Sequence, residues 1–531
     1  MPIKMELSAN FGELRANHFH SGLDLKTQKA IGQPVYAIDD GYLVRINISA
    51  TGYGNCLYVA HPGGYTSVYA HLDHFLPFID SIAKNEQYRR ESFAIDYFPE
   101  IGSIPIKRGQ QIAVSGNSGS SGGPHLHFEI RDSRTQDALD PQIFFPVEDN
   151  VAPRPRMFRI VPFVGEGTVR GKDKAANFDL LNVQSGKYRL KNDTVRVWGK
   201  VGLAIKAYDH MPEQSNIYGI YRLQVFVDDS LKFEYLNDRI SFAQTRMINS
   251  LIDYPLWYQK GEVFMRTWLL PGNELPLFPV AVDNGVLTID EARDYKVRIV
   301  MSDRAGNKAE LGAVLRGVPN DIKPLVTKPG QLFFSCADTN RYEGDGVRLD
   351  IPAKALYENL IFDYARMADS TGLSDIYQLS RGNVPMQKYA ALRIQVNEDS
   401  ITDWSKCYVA RVGRKGGWDS VGGKYVDGWM ETSVRDLGTF KVMTDTVPPV
   451  ITLLGKGAQM RFKVSDKGTG IAKYRGTVDG KWALFAYDAK NATLKYVFDS
   501  KRVTKGKTHT VEMTVTDCVG NTATQMVEVW W

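Results

Sequence analysis

The chain has 531 residues, of which 43% are hydrophobic and 24% charged, and its formal net charge is +5. This is the composition of a globular protein that is too long for one core, and no apolar run approaches the ~20 residues that cross a bilayer, so we expect several domains and no transmembrane segment. The chain has no long basic run and no CxxC pair, which argues against a nucleic-acid partner, a disulfide framework and a cysteine-based zinc site.

Three short, polar, proline-bearing segments have the composition of linkers between compact domains. They lie at residues 148–155, 319–324 and 445–449. Aromatic residues make up 11% of the chain, which favours strands over helices. We therefore predict a mainly all-β protein, with an N-terminal domain followed by a second, third and fourth module. The predicted ranges are 1–148, 149–324, 325–445 and 446–531.

Seven of the nine histidines lie within the first 127 residues, which marks the N-terminal domain as the place to look for chemistry. The earliest candidate motif is His20-Ser-Gly-Leu-Asp24. Gly22 would allow a tight turn that brings the imidazole of His20 and the carboxylate of Asp24 to one cation. Imidazole nitrogen and carboxylate oxygen suit Zn²⁺, although His18 could compete with His20 as the ligand.

The next predicted elements are strands and one helix. Residues 42–49 alternate, and residues 56–60 and 65–71 read as a hairpin that ends at His71. A histidine at a strand end is usually structural, so His71 becomes a candidate only together with the others. Apolar residues at helical spacing then predict a short inserted helix over residues 77–88.

Residues 124–130 read Pro-His-Leu-His-Phe-Glu-Ile and follow a glycine-rich loop at residues 116–123. The alternation predicts a strand, on which side chains two residues apart share a face. His125, His127 and Glu129 would then point one way, while the apolar residues between them enter a core. The two histidines could share one site, with Glu129 orienting one of them, or could lie on the surface of an edge strand.

A weak internal repeat links the second and fourth modules. They begin with Asp149-Asn-Val-Ala-Pro and Asp445-Thr-Val-Pro-Pro, and each ends with Asp-x-x-Gly-Asn after an alternating strand. Asp can bond its own backbone, and Gly and Asn tolerate positive φ, so the Asp-x-x-Gly-Asn segments indicate turns. The pattern resembles bacterial immunoglobulin-like modules, which are β-sandwiches. Alternation at residues 347–353 and 391–396 predicts a further sandwich in the third module.

Three motifs follow one another along the N-terminal domain: His-x-Gly-x-Asp, Tyr-x-His-Leu at residues 69–72, and Gly-Pro-His-Leu-His-Phe-Glu. In this order they resemble the lysostaphin-type (LytM-type, β-lytic) zinc endopeptidases, and so do the segments at residues 32–37 and 107–112. The resemblance covers about residues 8–145. It implies a small antiparallel β domain with a groove between loops, one Zn²⁺ per chain, and a peptidoglycan peptide as substrate.

Carried over residue by residue, the resemblance assigns two sets of positions. The zinc ligands would be His20, Asp24 and His127, and the catalytic histidines would be His71 and His125. Three protein ligands leave one tetrahedral position for water, as a catalytic zinc requires. Because the chain has no His-Glu-x-x-His, the two catalytic histidines would deprotonate the water and stabilise the oxyanion.

We therefore predict a zinc metalloendopeptidase that hydrolyses peptide bonds in the stem peptides or cross-bridges of peptidoglycan. The C-terminal modules would place the enzyme in the cell envelope, with an envelope protein or a glycan as their partner. The expected location is the periplasm or the outside of the cell, with the export signal absent from the given chain. An insertion between His71 and Lys107 carries the predicted helix and would wall one side of the groove.

Two other classes of protein remain open. Some LytM-type domains bind and activate amidases without cutting peptide bonds. Such domains typically lack zinc ligands, whereas this chain has all three predicted zinc ligands and both predicted catalytic histidines. Cupin-type sugar- or metal-binding proteins also use His-x-His. Their acidic ligand stands a few residues beyond the second histidine, where this chain has Ile130, Arg131 and Asp132.

Overall fold

The structure is a computed structural model and describes residues 1–326, 328–397 and 403–531. Strands dominate the described residues, which confirms the prediction of a mainly all-β protein. The helices described there are α1 (Pro77–Arg90), α2 (Ile248–Leu251), α3 (Tyr254–Lys260) and the 3₁₀ helices Pro141–Ile143, Thr245–Met247, Val282–Gly285 and Trp404–Lys406. None of these described helices is both long and apolar enough to cross a membrane.

Thirteen strands, β1 to β13, belong to the N-terminal part of the chain, where every residue is described. In chain order they are Leu7–Ala9, Leu14–Arg15, His18–Phe19, Leu23–Lys26, Pro34–Tyr36, Gly41–Ile48, Asn55–Ala60, Tyr65–Phe75, Ile95–Tyr97, Pro105–Ile106, Gln111–Ser115, His125–Asp132 and Ala138–Leu139. Most of them form one antiparallel sheet with the order β1-β4-β12-β8-β7-β6-β10, and β11 pairs with β5 and β8. Strands β7 and β8 are the predicted hairpin, and β12 is the predicted histidine strand.

The position of β12 between β4 and β8 brings the distant histidine motifs together. His127 is paired with Asp24 on one side and with Ala70, the neighbour of His71, on the other. Side chains directly opposite each other on adjacent strands lie within contact distance. The apolar side chains that alternate with the histidines of β12 are buried in the core of this domain, as the pattern predicts.

Helix α1 is the predicted insertion and lies between β8 and β9. Pro77 begins the helix, where a proline costs no hydrogen bond, and Glu91 ends it in the left-handed conformation. At this end the ring of Tyr88 lies 5.0 Å from that of Trp482, and Glu91 forms a 2.7 Å ion pair with Arg475. The helix therefore packs the fourth module against the N-terminal domain.

Strands β14 to β25 belong to the second module. In chain order they are Arg154–Val169, Ala176–Phe178, Leu180–Gln184, Lys187–Tyr208, Arg222–Val227, Ser230–Leu236, Arg239–Ile240, Met265–Arg266, Val280–Ala281, Leu287–Ile289, Asp294–Ser302 and Lys308–Gly317. Their main sheet has the order β15-β14-β17-β25-β24-β18-β19-β22, in which β17 and β25 run parallel. Strand β20 pairs with β13, so backbone hydrogen bonds join this module to the N-terminal sheet.

The N-terminal segment is shared between the first two parts of the chain. Leu7, Phe11, Phe19 and Leu23 are buried in the hydrophobic core that the second module forms. Burial of one such side chain contributes about 1.5–3 kcal/mol to folding. Since His20 directly follows Phe19, the second module is part of the structure that positions this histidine.

Strands β26 to β37 belong to the third module and β38 to β45 to the fourth. Those of the third are Leu332–Phe334, Asn340–Gly344, Val347–Ile351, Leu360–Phe362, Tyr364–Met367, Ile376–Leu379, Pro385–Gln395, Cys407–Val412, Trp418–Ser420, Lys424–Val426, Trp429–Asp436 and Gly438–Thr444. Those of the fourth are Val450–Gly455, Gln459–Ser465, Ile471–Val478, Lys481–Trp482, Ala486–Asp488, Thr493–Val497, Thr508–Asp517 and Thr522–Trp530. In each module the larger sheets pack on one hydrophobic core, which is consistent with the predicted immunoglobulin-like sandwiches.

Candidate metal centre and catalytic histidines

The three predicted zinc ligands meet in a buried cluster. The Nε2 atom of His20 lies 3.0 Å from Oδ1 of Asp24 and 3.0 Å from Nδ1 of His127, and that Nδ1 lies 2.8 Å from the same carboxylate oxygen. These side chains are nearly inaccessible to solvent. His18, the alternative ligand, is exposed and bonds through its Nδ1 to the carbonyl of Ala16.

Hydrogen bonds on the far side of each ring decide which nitrogens can bind a cation. Nδ1 of His20 lies 2.6 Å from the carbonyl oxygen of Asn10, and Nε2 of His127 lies 2.8 Å from Oε1 of Glu129. Both oxygens are acceptors, so these nitrogens carry the hydrogens. When both rings are neutral, the lone pairs of the two opposite nitrogens face each other and the carboxylate of Asp24. Two imidazole nitrogens and a carboxylate oxygen that converge in this way fit Zn²⁺.

Burial also favours a neutral imidazole at His20. It lowers the pKa of this imidazole to about 4, although the neighbouring Asp24 opposes the shift. The ring is therefore neutral at neutral pH and keeps its lone pair available for a metal. The second carboxylate oxygen of Asp24 accepts a 3.1 Å hydrogen bond from Arg15, which fixes the orientation of the carboxylate.

Gly22 is needed for a reason other than the tight turn that the sequence suggested. Its φ is not among the positive values found along the described chain. A Cβ atom at this position would lie 2.3 Å from the carbonyl oxygen of Phe128 and 2.9 Å from Cγ of Glu129. The motif thus contains glycine because its backbone passes close to β12, which is what allows His20 and Asp24 to reach His127.

We expect the substitution Gly22→Ala to lower the thermal midpoint of the full chain and to weaken zinc binding. The added methyl group must push two strands apart, and overpacking of this kind costs about 1–3 kcal/mol. The matched control is Gly122→Ala, because a Cβ there meets nothing within 4 Å and its φ is not positive. Equal thermal midpoints for the two variants would contradict this account.

The two predicted catalytic histidines lie beside the metal cluster. The ring centroid of His71 is 4.8 Å from that of His125 and 5.8 Å from that of His127. Nδ1 of His71 donates to the carbonyl of Ser118 at 2.9 Å, and Nδ1 of His125 donates to the carbonyl of Gly123 at 2.8 Å. The glycine-rich loop therefore fixes both tautomers and leaves each Nε2 as the basic nitrogen.

The backbone at His71 is unusual for a residue with a side chain. Its φ is 58°, and the pairing of β7 with β8 shifts register between Tyr69 and Leu72. Such a left-handed conformation costs on the order of 1–3 kcal/mol and persists where the surrounding structure enforces it. Burial, with the nearby His127 and His125, lowers the pKa of His71 to about 3, so this imidazole is neutral.

Glu129 lies at the centre of a buried network around His127. Its Oε1 accepts hydrogen bonds from Nε2 of His127 at 2.8 Å, from Ser21 at 2.5 Å and from Tyr53 at 2.6 Å. Its Oε2 accepts from Arg131 at 2.6 Å. The strand pattern indicated Glu129, and Arg131 follows on the same face, but no motif pointed to Ser21 or Tyr53.

Asn10, whose carbonyl oxygen accepts the hydrogen bond of His20, is held in place by the second module. The side chain of Asn10 donates to the carbonyl of Gly219 at 2.9 Å and accepts from the Gly219 backbone nitrogen at 2.8 Å. The hydroxyl of Tyr218 also donates to the carbonyl of Leu7 at 2.9 Å. The second module therefore supports the candidate site, a role that no pattern in the sequence indicated.

The structure has one cleft at the candidate site and another beside α1. One, of about 710 Å³, is lined by Asp24 and His125 together with basic residues. Those basic residues are Lys4, Arg15, Lys26 and Lys29. The other, of about 980 Å³, lies between α1 and the fourth module and is lined in part by Asp73 and His74, but by none of the five predicted site residues. The predicted insertion thus borders a cleft other than the one that contains Asp24 and His125.

Comparison with known proteins gives two family matches. Residues 18–87 match peptidase family M23, and residues 331–445 match the Zu5-like domain. An uncharacterized metalloprotease of Haemophilus influenzae is 33% identical over 111 residues, which are 21% of this chain and 18% of that protein. The peptidoglycan DD-endopeptidase ShyB of Vibrio cholerae is 34% identical over 111 residues, 21% of this chain and 20% of that protein.

The murein hydrolase activator NlpD of Escherichia coli is 32% identical over 112 residues, 21% of this chain and 23% of that protein. Among solved structures, the catalytic domain of lysostaphin from Staphylococcus simulans is 25% identical, and the match covers 27% of this chain and 93% of that one with a TM-score of 0.21. The chain spans about a fifth of the length of the curated relatives it matches. The N-terminal part of the chain is thus similar to peptidase family M23, including relatives of the LytM type, and is called the M23 domain; β-rich modules follow it.

Proposed function

We propose that the chain is a zinc-dependent endopeptidase that hydrolyses peptide bonds in the stem peptides or cross-bridges of peptidoglycan. The observation that carries this proposal is the convergence of Nε2 of His20, Oδ1 of Asp24 and Nδ1 of His127, with His71 and His125 beside them. A relative named as a peptidoglycan DD-endopeptidase supports the substrate. The proposed location is the periplasm or the outside of the cell.

Zinc bound by His20, Asp24 and His127 would polarise the scissile carbonyl and make a water molecule more acidic. The chain's own contribution is the placement of two imidazole rings beside the metal cluster, of which that of His71 is neutral. Nε2 of His71 or of His125 would take the proton of the attacking water, because in each ring Nδ1 is already engaged as a donor. The protonated ring would then stabilise the oxyanion and pass the proton to the leaving amine.

The cleft beside Asp24 suits an anionic peptide. Its volume of about 710 Å³ lies in the range of ligand-binding clefts. Its basic lining residues stand beside Glu6, Glu13 and Asp24, which pair with Lys4 and Arg15. Lys26 and Lys29 form no ion pair among the described residues, and their charge would attract the carboxylates of peptidoglycan stem peptides. We propose that the substrate peptide enters from this side and that the modules bind an envelope protein or a glycan.

The test is digestion of purified sacculi with the zinc-loaded full chain, followed by mass spectrometry of the released muropeptides. We expect fragments with newly cleaved peptide bonds, and a fall in rate of about 100-fold or more for His71→Ala. The matched control, His74→Ala, changes an exposed histidine that bonds to Asp73, and should digest as wild type does. Absence of new peptide termini from the wild-type digest would refute the proposal.

The relatives named as murein hydrolase activators support a second candidate, a regulator that activates a cell-wall amidase. The same experiment separates the two. A regulator would release no fragments alone, but would accelerate cleavage between glycan and stem peptide when a cell-wall amidase is added.

A further inference from the structure

A second cluster of potential metal ligands lies outside the M23 site, where the linker meets the second module. The carboxylates of Asp149, Asp209 and Asp303 each place an oxygen within 4.8 Å of the other two. Asp149 belongs to the linker, Asp209 follows β17 and Asp303 follows β24. Three carboxyl groups thus meet at one point, and Asp209 and Asp303 are only 2% and 3% exposed.

The hydrogen bonds of these carboxylates leave one buried oxygen, Oδ1 of Asp209, without a partner in the described part of the chain. Asp303 accepts from the backbone and side chain of Asn307 at 2.9 and 2.7 Å, and Asp149 accepts from the backbone of Val151 at 2.9 Å. Oδ1 of Asp209 is buried and has no hydrogen-bond partner among the described residues. In the same described ranges no lysine, arginine or histidine forms an ion pair with any of the three carboxylates. A buried, unpartnered carboxylate oxygen is costly unless a cation or a proton neutralises it.

We propose that Asp149, Asp209 and Asp303 bind a calcium ion. The donor set consists of oxygen alone, which suits hard cations and not Zn²⁺. Calcium accepts about six to eight oxygen ligands in irregular geometry, so three carboxylates, backbone carbonyls and water can complete its shell. Magnesium demands near-octahedral geometry and retains its water, and is therefore the weaker candidate.

The site lies at the junction between the second module and the N-terminal domain. Asp209 exchanges two backbone hydrogen bonds with Tyr218, at 2.9 and 3.0 Å, and the hydroxyl of Tyr218 donates to the carbonyl of Leu7. The next residue, Gly219, holds the side chain of Asn10. A calcium ion here would therefore stiffen the segment that supports the M23 domain.

The fourth module contains a related cluster with different bonding. Asp445, Asp466 and Asp517 also lie within 4.8 Å of one another. There Asp445 accepts from the backbone of Thr469 at 2.8 Å, and Asp466 accepts from the backbone of Gly470 at 2.7 Å. Backbone donors already satisfy these carboxylates, so the calcium site is assigned to the second module alone.

The test is calorimetric titration of the zinc-saturated full chain with CaCl₂ at neutral pH, combined with thermal unfolding. Asp209→Asn should bind one calcium ion fewer than wild type. Asp294→Asn, which changes an exposed carboxylate of the same module paired with Arg316, should bind as many as wild type. Saturating calcium should raise the thermal midpoint of wild type by about 4 °C or more, and Asp209→Asn should lose this shift.

The change in unfolding temperature of Asp209→Asn without calcium distinguishes a cation site from a substitution that merely destabilises the fold. In calcium-free buffer, with zinc reloaded after the chelator has been removed, Asp209→Asn should unfold at the same temperature as wild type or higher, because it removes a buried carboxyl group with an unpartnered oxygen. With calcium the order should reverse. Equal calcium stoichiometry for wild type and Asp209→Asn would overturn the assignment, as would a midpoint of wild type that calcium does not move. In either case the carboxylates are neutralised by a proton.

Discussion

The purified full chain is expected to bind one zinc ion, and His127→Ala to lose both this ion and the ability to digest sacculi. Nδ1 of His127 lies 2.8 Å from Oδ1 of Asp24 and 3.0 Å from Nε2 of His20. Removal of this side chain leaves only two of the three predicted zinc ligands. Loss of an outer partner alone lowers metal affinity about 10–100-fold, and loss of a ligand should exceed that range. Zinc content by atomic spectroscopy and release of muropeptides measure the two effects.

The sharpest control is His18→Ala, because the sequence alone left His18 and His20 as competing ligands. His18 is exposed and bonds to the backbone of Ala16, so this variant should retain one zinc ion and normal digestion. A chelator should abolish digestion by wild type, and added zinc should restore it. Retention of zinc and activity by His127→Ala would show that the three converging donors are not the metal site.

Short-range sequence patterns were enough to predict part of the candidate site. Alternation predicted that His125, His127 and Glu129 share a face of one strand, and the structure has them so, because a strand has a period of two residues. Local rules could not join Asp24 to His127, which are 103 residues apart. Only the resemblance to a known family linked these motifs, and the register of β4 with β12 provides the physical reason.

Other features of the site had no signal in the sequence. The partner of His20 is a backbone carbonyl, that of Asn10, and every residue has such a group. Gly22 had a plausible local explanation, a turn, whereas the structure shows a close approach to a distant strand. The burial of Leu7 and Phe19 in the core of the second module is also non-local, and no linker composition predicts it.

Together these contacts connect the candidate site to a module that carries no predicted catalytic residue. His20 depends on Asn10, and Asn10 is held by Gly219 of the second module. Backbone pairing of β13 with β20 strengthens the same junction. The second module therefore supports the M23 domain, and we expect a chain truncated near residue 148 to fold poorly and to bind zinc weakly.

Glu129→Ala is expected to cause the largest loss of stability of any single substitution at the site. Glu129 is fully buried, and Arg131, its partner at 2.6 Å, is 6% exposed. Burial pushes the pKa of Glu129 upward, but Arg131 and the hydrogen-bond donors outweigh it and hold the value at about 2, so the pair is charged. Removal of one partner leaves the other charge uncompensated, which costs about 3–5 kcal/mol. Zinc affinity should also fall about 10–100-fold, because His127 loses the acceptor that orients its ring.

Two further variants identify the cause. Asp96→Ala breaks an exposed pair with Arg45 in the same domain, and should cost no more than about 1 kcal/mol, since solvent screens such pairs. If the loss in Glu129→Ala comes from the stranded charge of Arg131, the double variant Glu129→Ala, Arg131→Ala should unfold at a higher temperature than Glu129→Ala alone. The zinc affinity of the double variant should stay low, because His127 still lacks its acceptor. If the double variant is less stable than Glu129→Ala, the loss of stability comes from packing instead. Unchanged zinc affinity in Glu129→Ala would show that the carboxylate does not orient His127.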